Sequence, residues 1–153
     1  MLEINNISVL FDKAKSVERE EFDISFEQIV SFCEKENYTE AIPLIENTLN
    51  EGHLDIRLIM YFFFSEFLKQ GPIVLTPISA QLPLLLEVNL DKLIPSRNKE
   101  KHIVNSSSWL FSSIIKKLQR SEKLFKEERP DSLWKICETT LNRESIPLLI
   151  ENI

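Results

Sequence analysis

The sequence predicts an all-α fold, a compact bundle of about six helices that pack as helical hairpins. Apolar residues recur at the three- and four-residue spacing of helix faces through most of the 153 residues. Only two glycines are present, which argues against tight strand hairpins and against glycine-rich phosphate loops. Residues 58–64 form an unbroken apolar run, which is typical of a helix that is buried on all sides.

Composition restricts the classes of function that this chain can serve. The hydrophobic content of 43% is enough for one sizeable core, and the net charge of -6 is a poor match for the phosphates of nucleic acid. The N-terminus lacks the pattern of a secretory signal, and the longest apolar run is far shorter than the ~20 residues of a membrane span. We therefore expect a soluble cytoplasmic protein without direct membrane insertion. Cys33 and Cys137 are expected to be small, reduced core residues.

Residues 1–24 are predicted to be a partly extended N-terminal arm. Their only apolar patch is short, at residues 7–11, and a charged cluster follows it. That cluster is either a solvated loop or a docking surface for a basic partner. Its members are Glu18, Arg19, Glu20, Glu21 and Asp23.

Two helices are expected next, at the start of a helical domain over residues 25–128. Ser25 and Gln28 form a capping-box pattern, so the first helix is predicted over residues 26–36. Thr39 is the expected N-cap of the second helix, and Gly52 is its expected stop.

The third helix is predicted to begin at Asp55, as its N-cap, and to end at Gly71. Residues 72–77 contain two prolines and are expected to be extended. A leucine-rich fourth helix is then predicted over residues 80–93, with Pro95 closing it.

A long amphipathic helix is predicted over residues 99–127. One of its faces is basic, which suits either solvent or an acidic partner. The basic residues are Lys116, Lys117, Arg120, Lys123 and Lys126. Residues 129–153 are expected to form a C-terminal helical extension, with a sixth helix near residues 133–141.

The apolar side chains at the end of this extension would be exposed to water unless another surface packs against them. Either the chain is part of a longer protein, or the tail associates with a partner or with a second copy of itself. The candidate contacts are Ile146, Leu148, Leu149 and Ile150.

No set of residues has the spacing of a catalytic or metal site, so we expect no enzymatic activity, cofactor or metal. His53 and His102 lie far apart and lack a second ligand one helical turn away. The three serines at 106–108 lack the flanking glycines of a nucleophile elbow and are better suited to a close approach of two helices. The three phenylalanines at 62–64 point in different directions around a helix, which indicates core packing.

Asp55 and Arg57 are the only strongly polar residues at the entrance to the apolar run. Asp55 is expected to cap the helix, since a carboxylate there meets free backbone N–H groups. Arg57, two residues later, is expected on another face, where it ties the helix to a different segment through a carboxylate or carbonyl oxygens.

These residues also carry a resemblance to a known family. The sequence is similar to the ImpA-related N-terminal domain of the TssA-type proteins of bacterial type VI secretion systems. Two blocks carry most of the resemblance, DIRL at residues 55–58 and LDKLIP at residues 90–95, with NSSSWL at 105–110 after them. The single residues that match are Tyr38, Ala41, Leu49, Tyr61, Gly71 and Pro95. Leu90 and Ile94 depart from the Trp and His that the family often has at these positions.

The resemblance implies a non-enzymatic assembly module. Its partners would be proteins of the secretion baseplate, of the sheath and tube, or of the membrane complex, and it would be recruited to the inner face of the cell envelope. The alternative is a helical adaptor or chaperone-like domain that holds the amphipathic helix of another protein in a groove.

Overall fold

The computed structural model describes the backbone of residues 2–13 and 19–128, and the side chains of residues 2–12 and 24–124. Over these residues the protein is all-α, which confirms the predicted fold class. Its α-helices are α1 (Ile7–Leu10), α2 (Arg19–Glu34), α3 (Tyr38–Asn50), α4 (Ile56–Gln70), α5 (Leu75–Pro83) and α6 (Lys99–Glu128). Short 3-10 helices cover Ile4–Asn6, Phe11–Lys13, Gly71–Val74 and Leu90–Lys92, and a π-helical turn covers Leu84–Val88.

Helix α4 lies at the centre of the bundle. Phe62 and Phe63 are fully buried and Phe64 is 3% exposed, which confirms that the phenylalanine run is core. Helices α3 and α6 both pack against α4, and α2 packs against α3 as the other half of a hairpin. Neighbours on several sides bury a helix that is apolar all round.

The N-terminal segment is not the partly extended arm that we expected. From Ile4 to Lys13 it is helical, and its apolar side chains are buried. Residues 4, 7 and 11 follow helical spacing, so a helical conformation brings them onto one face, and the segment packs on α5. The buried residues are Leu2, Ile4, Ile7, Leu10 and Phe11. The side chains of the charged cluster at residues 18–23 lie outside the described ones.

Two helix starts differ from prediction. Helix α2 begins at Arg19, so Ser25 lies inside the helix and the predicted capping box at its start is wrong. Helix α3 begins at Tyr38, which places Thr39 in its first turn and Asn37 at the N-cap position. Gly52, at φ 94°, follows the end of α3 as predicted.

The segment after α4 is helical where an extended loop was expected. Gly71 ends α4, as predicted, with φ 79° and ψ -161°, a conformation that is open essentially only to glycine. Pro72 then lies in a 3-10 turn and Pro77 in the first turn of α5, where a missing N–H breaks no helical hydrogen bond.

The helix predicted over residues 80–93 is also wrong in its bounds. Helix α5 ends at Pro83, and the chain continues through the π-helical turn into the last 3-10 helix. Pro83 has no N–H for the carbonyl one turn earlier, and its ring crowds that carbonyl, so the regular helix ends there.

Helix α6 has nearly the predicted bounds. Leu110 and Ile114 are buried on its apolar face. Ser106 and Ser107 are buried on α6, the helix that packs against α4, which agrees with the close approach that small side chains allow. The predicted sixth helix and the apolar tail lie outside the described residues.

By length and composition alone, the stretch Ile56–Val88 is apolar enough to cross a membrane; an 18-residue window of it has a mean hydropathy of 1.4 and is 39% buried. In the folded protein it is divided at Gly71 between α4 and a second segment, which contains α5 and a short helical turn on each side of it. A buried core helix has the same composition as a membrane span, and α4 has ten of its 15 residues buried.

Candidate functional site

Asp55 caps α4, as the sequence predicts. It has extended backbone angles, φ -76° and ψ 127°, and its Oδ1 accepts a hydrogen bond from the backbone N–H of Arg57 at 2.8 Å. Its side chain is completely buried. The carboxylate thus satisfies one of the free N–H groups of the first turn and meets the positive end of the helix dipole.

Arg57 pairs with Asp55 itself, which corrects our expectation that the two point apart. The Arg57 Nε lies 2.9 Å from Asp55 Oδ1, and its Nη2 lies 2.5 Å from Oδ2. We expected them to point apart because two residues at positions i and i+2 on a helix surface do not face each other. Asp55 precedes the helix, so its side chain is free to turn back over the first turn and form a two-pronged ion pair.

Arg57 does connect α4 to another segment, but through an aromatic ring. Its guanidinium carbon lies 3.9 Å from the centre of the Phe26 ring on α2. A planar guanidinium can bind a carboxylate along its edge and an aromatic ring against its face. The carboxylate or carbonyl contact to another segment that we expected is replaced by this stacking.

The segment before Pro95 completes the same cluster. The N–H of Ile94 donates to the carbonyl of Leu54, and the N–H of Ile56 donates to the carbonyl of Ile94, both at 3.0 Å. These two bonds form a short parallel bridge between residues 55 and 94. The DIRL and LDKLIP blocks are therefore in direct contact at the N-terminal end of α4.

Two other residues of the resemblance, Tyr38 at the start of α3 and Gly71 after α4, lie against or next to α4. The Tyr38 ring meets the Phe64 ring edge to face, with centroids 5.4 Å apart. Gly71 lies at the far end of the helix. The four tail residues proposed as partner contacts, from Ile146 to Ile150, are outside the described residues.

A groove lies beside this cluster, between α2 and α6, with α4 as its floor. Its larger pocket has a volume of about 390 Å³ and is lined by aromatic rings from three helices. Trp109 of α6 contacts Tyr61 at 4.8 Å and Phe64 at 5.3 Å between ring centroids, both edge to face. Tyr38 completes this aromatic lining.

Opposite charges flank the aromatic lining. Lys116, Lys117 and Arg120 line the pocket from α6, and they belong to the basic face that the sequence analysis identified. Glu34 and Glu36 line it from the end of α2 and the turn that follows. The pocket thus has an apolar floor, a basic side and an acidic side.

A second pocket, of about 180 Å³, continues the groove towards the start of α6. Both pockets are lined by Tyr61 and Trp109, so this ring pair separates two halves of one groove. The second half is lined by Arg57, His102 and Asn105 among others. The Asp55–Arg57 pair is therefore connected to the groove through the arginine.

Burial raises the pKa of one thiol and two phenols that line the groove. Desolvation raises the pKa of the Cys33 thiol to about 12. Desolvation is also the main cause that raises the pKa of Tyr38 and of Tyr61, with a smaller contribution from Cys33. Cys33 is 6% exposed and behaves as the small core residue that we expected.

The basic face of α6 could be predicted from the sequence, but the groove could not. Tyr38, Tyr61 and Trp109 are far apart in the chain, and their meeting depends on how the helices cross. The sequence pointed to this side of the groove only through Lys116 and Arg120, which lie one turn apart on one face of the helix.

The histidines do not form a site together. His53 follows α3 and lies 4.0 Å from the Glu51 carboxylate, with 18% of its side chain exposed. His102 lies in the second pocket of the groove. Within the described part of the chain, no three His, Cys, Asp or Glu side chains gather in a way that could hold a metal ion.

Comparisons with protein-family models, with curated proteins and with solved structures found no match to this chain.

Proposed function

We propose that this chain is a non-enzymatic helical module that docks to other proteins during the assembly of a bacterial type VI secretion system. One observation carries the proposal. The two sequence blocks behind the resemblance to the ImpA-related domain touch each other at the start of α4, through the bridge between residues 55 and 94. Residues that are distant in sequence and adjacent in space are what a shared structural motif requires.

The role of this cluster is structural. Asp55 is fully buried, and both of its oxygens are engaged by the backbone N–H and the guanidinium of Arg57. A catalytic carboxylate has to reach its substrate, whereas this one anchors the central helix. The function of the chain is then carried by its outer surfaces.

The proposed partners are proteins of the baseplate, of the sheath and tube, or of the membrane complex. They would bring the module from the cytoplasm to the inner face of the cell envelope. Homo-oligomerisation through the tail at residues 146–153 belongs to the same proposal.

The groove favours a second candidate, a helical adaptor that holds the amphipathic helix of another protein. A cleft with an aromatic floor between two helices is the type of surface that binds such segments. An adaptor of this type would not depend on a secretion apparatus.

Binding to purified components tests the first candidate. We expect the full chain to bind a baseplate, sheath, tube or membrane-complex protein from the same bacterium with a Kd of ~10 μM or tighter in biolayer interferometry. Lack of binding to all of them at that concentration would contradict the type VI role. If helical peptides were still bound in the groove, the adaptor function would remain.

A further inference from the structure

We propose that the groove between α2 and α6 is the docking site for a helical segment of a partner protein. This segment carries large apolar or aromatic anchor residues and has acidic residues along the side that faces α6. The inference rests on the proposed function as a docking module and specifies the partner chemistry. It does not depend on which apparatus the partner belongs to.

The aromatic floor of the groove indicates which anchor residues a partner helix would carry. The larger pocket, of about 390 Å³, lies within the range of pockets that take up compact apolar groups. Phe64 is almost fully buried at its base, whereas Tyr38, Tyr61 and Trp109 remain partly exposed. Partly exposed aromatic rings give up water readily on binding, and such rings dominate the energetics of protein interfaces.

The length of the groove favours a helix over a single side chain. Its lining on α6 runs from His102 to Arg120, which corresponds to ~27 Å at the rise of an α-helix. Two pockets lie along this length on either side of the Tyr61–Trp109 pair. Two anchors on one face of a partner helix would fill them, and this is the usual pattern of helix-in-groove recognition.

The charges of the groove determine the flanking residues. Among the described side chains, Lys116, Lys117 and Arg120 form no ion pair within 4.0 Å. They form a local positive patch on a chain whose net charge is -6. Such a patch attracts carboxylates of a partner and orients it.

The opposite side of the groove carries the reverse charge. Glu34 and Glu36 would repel an acidic residue placed next to α2. A partner helix with carboxylates on one flank only therefore has one favourable rotation about its axis. This arrangement gives specificity against segments that are acidic on both flanks or basic on the α6 side.

Two designed peptides test the proposal. Each is a fluorescein-labelled amphipathic helix of about 18 residues with Leu and Trp on one face, long enough to span the groove. One peptide has Glu along a single flank, and the other has Lys at the same positions. We expect the Glu peptide to bind the full chain with a Kd of ~10 μM, and the Lys peptide to bind at least about tenfold more weakly, by fluorescence anisotropy.

Charge reversal on α6 provides the matched control. The double variant Lys116→Glu/Arg120→Glu should weaken binding of the Glu peptide at least about tenfold and reverse the preference between the peptides. The control Lys101→Glu/Lys123→Glu makes the same change in charge at exposed sites on the same helix, outside the groove lining. It should change the affinity less than about twofold. Equal losses in both double variants would overturn the proposal, because they would indicate long-range attraction only.

Photo-crosslinking identifies the occupant directly. A benzoylphenylalanine in place of Ser113, which lines the larger pocket, should crosslink to the added Glu peptide. Crosslinks to residues 129–153 of the same chain, or to a second copy of the chain, would overturn docking of a partner. Failure of both peptides to bind would also overturn it, and would leave the measured binding to secretion components as a separate result.

Discussion

At the residue scale, Asp55 lies outside the helix that it caps. In this position its carboxylate accepts hydrogen bonds from both the backbone N–H and the guanidinium of Arg57. The cap could be predicted, because an Asp before an apolar helical run suits only a few backbone positions. The ion pair with Arg57 could not be predicted from spacing. It depends on the backbone of Asp55 being extended, with ψ 127°, and on the Phe26 ring that supports the other side of the guanidinium.

Replacement of Asp55 tests this cluster. Asp55→Ala should lower the free energy of unfolding by about 3 kcal/mol, because it removes the cap and leaves the guanidinium of Arg57 without its carboxylate. Asp55→Ser keeps an oxygen for the backbone N–H and should fall between Ala and the wild type. Urea unfolding followed by circular dichroism measures both. An Asp55→Ala protein within about 0.5 kcal/mol of the wild type would contradict the anchoring role.

At the element scale, periodicity predicted the long helices better than the short ones. Helix α6 has nearly its predicted bounds because its pattern runs over many turns. The secondary structure predicted between Gly71 and Pro83 was wrong. The prolines of this segment lie in first turns and at a helix end, where they are compatible with a helix. The helical turns at residues 4–13 were not predicted, because their stability comes from packing on α5.

The contact between α4 and α6 gives a prediction with an adjacent control. Ser107 is 3% exposed on α6, the helix that packs against α4, whereas Ser108, the next residue, is exposed. Ser107→Leu should lower the free energy of unfolding by about 2 kcal/mol, because the larger side chain forces the helices apart. Ser108→Leu should stay within about 0.5 kcal/mol. Equal effects of the two changes on the urea midpoint would argue against close packing at this point.

At the scale of the whole molecule, α2 and α6 flank α4 and leave a groove between them. The groove brings together rings from α3, α4 and α6 and charges from α2 and α6. The Cys33 thiol and the Tyr38 and Tyr61 phenols in its lining hold their protons more firmly in the folded chain than in the unfolded chain. This difference couples the stability of the whole protein to pH.

The coupling predicts a loss of stability in alkali. Cys33, Tyr38 and Tyr61 have raised pKa values in the folded state, so above ~pH 9 the unfolded chain releases protons that the folded protein retains. The contribution of these three groups to the free energy of unfolding should therefore be constant below that pH and fall as the pH rises further. Urea midpoints at about pH 8 and about pH 11 measure the fall.

A variant without the two phenols is the control. Tyr38→Phe/Tyr61→Phe keeps both rings and should lose less stability between the two pH values than the wild type does. An equal fall in both proteins would show that ionisation of these tyrosines is not linked to folding.

The sequence by itself determined the all-α class, the buried helix around the phenylalanine run, the cap at Asp55, the stop at Gly71 and the basic face of α6. Each of these follows from a local rule, because helical periodicity, capping and glycine conformation involve residues a few positions apart. Only the tertiary structure decided that Arg57 pairs with its own cap, that residues 55 and 94 form a bridge, and that Trp109 meets Tyr61 over a groove. The bridge and the ring contact join residues whose separation is set by how the helices pack, and periodicity carries no information about that crossing. The pairing of Arg57 depends on the extended backbone of Asp55 and on the Phe26 ring that α2 places against the guanidinium.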